Sequence, residues 1–200
     1  MHDPGATPTP PRPALNVVGA LVALGPLRRD LVPVYHRWTN DLDVSRTRGL
    51  SWPSTLEREL ATYEANTASA TGAWFTVYER ETWRPIGVAG LYEIEARHAR
   101  ASFGITIGEA NCRGKGYGTE ATRLILDYGF TRLGLENVML TVYEFNTAGR
   151  RAYEKAGFRV FGRRHRCSRL GQRLWDVLYM EALAADVAGL TDAAASVPTP

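Results

Sequence analysis

Cysteine and long apolar runs are scarce in this chain. Cys112 and Cys167 are the only thiols among 200 residues, too few for a disulfide framework, and neither has a partner at the Cys-x-x-Cys spacing of metal sites. Two free thiols and no metal are the expectation. No stretch approaches the roughly 18 consecutive apolar residues of a membrane span, and "MHDPGATPTPPRP" lacks the basic-then-apolar order of a signal peptide. A cytoplasmic chain with no membrane partner is expected. Excess charge is also small. A formal net charge of +3 gives no argument for a nucleic-acid partner, although Arg163, Arg164, Arg166, Arg169 and Arg173 gather late in the chain. That cluster reads as a solvated strand face.

What is present suffices for one core, since hydrophobic residues make up 44% of the chain. Residues 1–14 and 187–200 are rich in proline and small residues and read as tails, leaving a single domain over 15–186. Within it "NVVGALVALGPL" reads as a first strand, and "RRDLVPVYHRWTND" turns to helical spacing through Leu31, Val34, Tyr35 and Trp38. In "SWPSTLERELATYEAN", Ser54 with Glu57 three residues on forms a capping box that starts a second helix. "AWFTVYER", "PIGVAGLYEIE" and "RASFGITIG" then predict an antiparallel meander. A helix with Tyr117, Ala121, Leu124, Ile125 and Tyr128 on one face leads to the strand "ENVMLTVYEFN", so the strands flanking it should run parallel. A last helix, "TAGRRAYEKAG", ends at Gly157, and a hairpin closes the sheet.

The loop "CRGKGYG", Cys112 to Gly118, stands before the first of those two helices. A dinucleotide fingerprint needs Gly-x-Gly-x-x-Gly with an acidic residue about twenty positions on, and a Walker loop needs a hydroxyl directly after Gly-Lys. Neither pattern is met: the stretch is Gly-x-Gly-x-Gly with no such acidic residue, and Gly116 follows Lys115 where the hydroxyl would stand. Three glycines are also costly for a mere turn. What remains is a loop whose backbone N–H groups converge on an anion at a helix start.

Arg113-x-x-Gly116-x-Gly118 resembles the Arg/Gln-x-x-Gly-x-Gly/Ala pyrophosphate loop of the GNAT superfamily of acetyl-CoA-dependent N-acetyltransferases. "NTAGRRAYEKAGF" is similar to a second segment of that family, and the resemblance runs from about Leu21 to Leu183. Its nearest look is to the ribosomal-protein and polyamine branch, although Ser102 stands where glutamate is common among the polyamine enzymes. The resemblance implies an α/β (α+β) fold, with a mixed, mostly antiparallel sheet of about seven strands, about four helices, and a parallel pair splayed at the acetyl-CoA site. It implies acetyl-CoA as co-substrate, held by Arg113, Gly114, Lys115, Gly116, Tyr117, Gly118 and Thr119 in the loop. Asn146 and Lys155 would hold it from the last helix, and the backbone of Ile105 to Ile107 would polarise the thioester oxygen.

A lysine-like ammonium presents its free base at pH 7 only at a cost of about 4.6 kcal/mol, so a general base belongs on the acceptor side. Resemblance to the polyamine enzymes puts Glu93 first, with Glu95 two residues on and so on the same strand face; both read equally as solvent-facing carboxylates. Tyr153 resembles the family's general acid, against a reading as a core tyrosine, and shares a helix face with Asn146 two turns away. Trp38, Asp41 and Trp52 are candidates for the acceptor pocket, as the branch implies, and Asp41 reads equally as a helix cap. Cys112 reads as a loop residue, since no histidine is evidently near it. The expected activity is acetyl transfer to a primary amine by direct attack, the amine being a small molecule, such as a metabolite or an amine-bearing antibiotic, or a protein N-terminus. Another acyl donor such as succinyl-CoA, a non-catalytic acyl-CoA-binding module, and a homodimer remain open.

Overall fold

The computed structural model describes residues 13–49 and 52–187. In chain order its elements are β1 (Val17–Val18), β2 (Val22–Pro26), α1 (Val32–Thr39), α2 (Leu42–Arg48), α3 (Leu56–Ala68), β3 (Ala73–Glu79), β4 (Pro85–Glu95) and β5 (Arg100–Ile107). There follow α4 (Tyr117–Asp127), β6 (Asn137–Tyr143), α5 (Thr147–Ala156), β7 (Arg159–Leu170), β8 (Arg173–Leu183) and α6 (Ala184–Val187). All eight strands form one sheet in the order β1-β2-β3-β4-β5-β6-β8-β7. Only β5 and β6 are parallel. The predicted mixed, mostly antiparallel sheet is therefore the one observed.

Alternation along β4 shows how the sheet divides its two faces. Ala89 and Leu91 join the main core with Ala121, Leu124 and Ile125 of α4, while Val88 packs on the other face against Val32, Tyr35 and Trp38 of α1. The helical spacing read in α4 is thus the spacing of its buried face. Pro13 and Val187, which the composition assigned to the tails, are buried and Ala14 is exposed; the rest of both tails lies outside the described residues.

Local corrections have identifiable causes. The stretch read as a first strand holds two strands, because the Glu120 carboxylate of α4 accepts hydrogen bonds from the amides of Ala20, Leu21 and Val22 at 2.9, 2.7 and 2.7 Å and so turns the chain there. Three helices precede the meander instead of two. Asp41 leaves helical backbone (φ −66°, ψ 128°), and its side chain accepts from the Val44 amide, opening α2 as a new helix. The cap of α3 is Thr55, which accepts from the Arg58 amide, and not Ser54. Ser54 is tied to α1 through its backbone. Its carbonyl accepts from His36 Nε2 at 2.8 Å and from Asn40, and its amide donates to Asn40, so the helix starts one residue later. The five late arginines are exposed, four on β7 and Arg173 at the start of β8, as expected. Cys112 is buried, Cys167 is exposed, and both are free. Among the described residues no helix is long and apolar enough to cross a membrane, and no cluster of three His, Cys, Asp or Glu is arranged to hold a metal.

Candidate active site

The parallel pair holds together for three residue pairs only, Arg100 with Asn137, Ala101 with Val138 and Ser102 with Met139. Beyond them both strands continue, to Ile107 and Tyr143. The sheet therefore opens into a wedge, along which the β6-facing edge of β5 has no strand partner. Two cavities meet there. One, of about 490 Å³, lies between the sheet and α1, α2 and α3; the other, of about 530 Å³, is framed by the glycine loop, α4 and α5. Thr47, Ile105, Thr106 and Tyr153 line both.

On the second cavity the loop does what its glycines suggest. Gly114 (φ +75°) and Gly116 (φ +89°) sit in the left-handed region, and Gly116 is the N-cap of α4 with no side chain capping the helix start. The first-turn amides of α4 are thus left for an outside acceptor, where the helix dipole favours negative charge. Gly114, Gly116, Gly118 and Thr119 line this cavity, as do Ile107, Asn146 and Lys155. Asn146 is the N-cap of α5, its side chain accepting from the Gly149 amide at 3.0 Å. Arg151 also lines it, one turn before Lys155 on the same helix face. That spacing was readable in the sequence, and Arg151 was missed there.

Of the other loop candidates, Arg113 lines this cavity while Lys115 and Tyr117 line neither. The Arg113 side chain turns inward to the Ile107 and Gly108 carbonyls, each at 3.2 Å, and to Asp41 and Asp43 at 3.4 and 3.5 Å. It braces the loop against α2. Lys115 is exposed and lines neither cavity. Tyr117 packs against the core and donates its hydroxyl hydrogen to Glu79 at 3.0 Å, which holds it away from the cavity.

On the first cavity, Trp38 lines the wall, its indole N–H donating to Glu109 at 2.8 Å. Asp41 is the α2 cap described above. Trp52 is 81% exposed and lines neither cavity. Glu93 and Glu95 share the strand face of Ser102 and Arg100, as expected, but both lie outside the cavities. Glu93 takes φ +53° at an irregularity in the β4–β5 register, which turns Ile94 into the core and leaves both carboxylates exposed outside the cavities. Glu93 accepts from the Ser102 hydroxyl at 2.9 Å, and Glu95 pairs with Arg100. The strand neighbour of Glu93, Tyr92, lines the cavity in its stead. The charged groups that do line it are Arg48 and Glu59, neither of which carried a sequence signal of its own. Glu59, Tyr63 and Asn66 line it from one face of α3. Arg48 is exposed at the cavity rim; the desolvation of its guanidinium lowers its pKa and Glu59 pulls the other way, and an arginine so placed stays cationic.

Tyr153, at the junction, is boxed by Phe103 and Phe158, and its pKa is pushed up to about 12, chiefly by burial and secondarily by Tyr92. A half-buried tyrosine whose hydroxyl keeps its proton thus stands between a cavity suited to an anion and one walled by aromatic rings.

Residues 22–159 match the family described as "Acetyltransferase (GNAT) domain". The chain belongs to the GNAT acetyltransferase family. It is 30% identical over 154 residues to alpha/beta-tubulin-N-acetyltransferase 9 of Homo sapiens, covering 71% of this chain and 74% of that one. A shorter stretch of 76 residues is 42% identical to spermidine N(1)-acetyltransferase of Escherichia coli, covering 38% of this chain and 40% of that one. In fold it is similar to the crystal structure of spermidine N-acetyltransferase from Vibrio cholerae in complex with CoA and spermine, with TM-score 0.77 and 24% identity over 85% of this chain and 99% of that one.

As a GNAT N-acetyltransferase the protein uses acetyl-CoA as co-substrate. The residues present fit its pyrophosphate. Two left-handed glycines, an uncapped helix start, and the cations Arg151 and Lys155 surround the loop side of the wedge.

Proposed function

We propose that the cavity under α1, α2 and α3 admits a primary amine, of a small molecule or a protein N-terminus, and that it meets the thioester beside Tyr153. The observation that supports this reading is the position of Tyr153, the side chain of α5 that lines both cavities. The co-substrate supplies the activated acetyl group; the amine nitrogen forms the new bond to its carbonyl carbon as the bond to sulfur breaks. This chain's residues then have two proton tasks.

Tyr153 presents an O–H to the departing sulfur. With its pKa raised to about 12 against roughly 8.5 for an alkyl thiol, complete transfer is uphill, so the hydroxyl serves as a hydrogen-bond donor to the developing thiolate. The proton that finally resides on sulfur is the one the amine gives up. On the acceptor side we assign the carboxylate that faces the ammonium to Glu59, since Glu93 is outside the cavity. The backbone N–H groups of Ile105 and Ile107, which alternation turns to the strand edge that β6 leaves unpaired, would polarise the carbonyl.

The test is release of free thiol when the purified protein is mixed with acetyl-CoA and a panel of primary amines. Turnover with at least one amine is expected; silence across the panel, with coenzyme A bound, would overturn the transferase reading and leave a binding module.

A further inference from the structure

The acceptor cavity has a floor with a definite shape. Trp74 and Tyr92 lie stacked, ring centroids 5.8 Å apart and planes within 9°. Beneath them are Gly90 and Gly104, paired across β4 and β5. A Cβ at Gly90 would stand 2.8 Å from the Trp74 ring, and one at Gly104 would stand 3.5 Å from both rings. The two glycines thus let the indole lie flat on the sheet. Phe103, Tyr63, Tyr143 and Tyr153 complete an aromatic wall.

The charges are as informative as the rings. Among the described residues Arg48 and Glu59 are the only charged side chains that line the cavity, so their charges sum to zero. A polyamine brings several ammonium groups into such a space, and each needs an anionic partner when taken from water. One carboxylate is present, with a guanidinium beside it. Arg48 donates to Thr39 Oγ1 at 3.3 Å and forms no ion pair among the described residues, so most of its planar fork is uncommitted. Gly49, in the left-handed region next to it, lets the end of α2 close against the Tyr143 hydroxyl, which fixes Arg48 at the cavity rim.

We propose that the acceptor is a primary amine with one planar aromatic body and one carboxylate, chemically an aromatic amino acid, whose ring lies on Trp74 and Tyr92 and whose carboxylate meets Arg48. A guanidinium fork binds a carboxylate through two parallel hydrogen bonds, and a flat ring gains from an aromatic floor. The inference rests on the transferase reading, and its test separates the two.

The full chain is assayed by thiol release with phenylalanine, phenethylamine and spermidine, and phenylalanine binding is followed separately by quenching of tryptophan emission, since Trp38 and Trp74 line the cavity. The expected kcat/KM for phenylalanine exceeds that for phenethylamine about tenfold, with spermidine lowest. Arg48→Gln should lower the phenylalanine value about tenfold and the phenethylamine value far less, with Arg48→Lys between. Spermidine as the best acceptor, or an equal loss for both aromatic amines in Arg48→Gln, overturns the proposal. So does failure of phenylalanine both to bind and to react. Saturable phenylalanine binding that Arg48→Gln abolishes, without thiol release from any amine, overturns the transferase reading and leaves the ligand assignment standing.

Discussion

Tyr153 meets Phe103 edge-on, with ring centroids 6.2 Å apart and planes at 86°. Phe103 is the first residue of β5 beyond its last pair with β6, so the tyrosine is held where the wedge begins. Phe158 closes the triangle at 6.1 Å from Tyr153 and 5.8 Å from Phe103. It can do so because Gly157 (φ +108°) ends α5 and returns the chain onto its own last turn. Tyr153→Phe keeps this packing and removes only the hydroxyl. A fall in kcat of about 10²-fold or more, with KM for acetyl-CoA within about twofold and an unchanged melting temperature, is expected. Undiminished kcat in steady-state assays would remove Tyr153 from the chemistry.

The same burial governs behaviour in alkali. Tyr35, Tyr92 and Tyr153 all have pKa values raised chiefly by burial, Tyr153 to about 12. A raised folded-state pKa means that the folded protein holds the proton more tightly than the unfolded chain. The associated stability is complete below the ordinary tyrosine value near 10 and is lost as pH rises through the folded values. Denaturant midpoints should therefore be flat with respect to tyrosine ionisation from pH 7 to 9 and fall above pH 10. Tyrosinate absorbance that develops in the folded state with an ordinary midpoint for every tyrosine would contradict this.

The elements were legible where the signal is local. Gly157 at the end of α5, the buried face of α4 and the parallel sense of β5 and β6 all follow from spacing and caps over a few residues. The donor side of the wedge is built from such stretches, and the candidates that the resemblance named there, Ile105, Ile107, Arg113, Gly114, Gly116, Gly118, Thr119, Asn146 and Lys155, line its cavity. The acceptor side comes from α1, α2 and α3 meeting a distant sheet, and which of their polar residues face inward is decided by tertiary contact. Arg48 and Glu59 look like ordinary surface charges in the sequence. Glu93 was named by resemblance to the polyamine enzymes, and its carboxylate lies outside both cavities, at a left-handed residue where the β4–β5 register breaks.

Glu120 offers a test of how the donor loop is supported. Its carboxylate collects three backbone amides from the turn between β1 and β2, while it stands in the first turn of the helix that Gly116 opens. Glu120→Ala leaves three donors without their acceptor, and water can reach most of this site, so a loss of about 1–3 kcal/mol is expected in place of the full sum. Urea denaturation should show it, accompanied by a raised KM for acetyl-CoA as the start of α4 loosens. A stability within about 0.5 kcal/mol of wild type would show the turn to be held by its strands alone.

Arg113 offers the sharpest separation of loop from ligand. Its guanidinium joins the Ile107 and Gly108 carbonyls to Asp41 and Asp43, so it connects the donor loop to α2, whose Thr47 lines both cavities. The Asp43 carboxylate is 75% exposed, and such a pair contributes at most about 1 kcal/mol. The carbonyl contacts, made by a charged donor, contribute more. Arg113→Ala should accordingly destabilise by about 2 kcal/mol and Asp43→Ala by less than about half that. Asp41 has its pKa lowered first by the Val44 amide and then by Arg113. A depressed folded-state pKa stabilises above the ordinary carboxylate value near 3.8 and is lost as pH falls through the folded value. The Asp41 cap should thus hold at pH 5 and release only below about pH 4. At neutral pH Asp41→Asn, which keeps an acceptor for Val44, should cost little beside Asp41→Ala at about 1 kcal/mol. A double-mutant cycle of Arg113→Ala with Asp41→Ala that shows no coupling would mean that the brace acts through the two carbonyls alone.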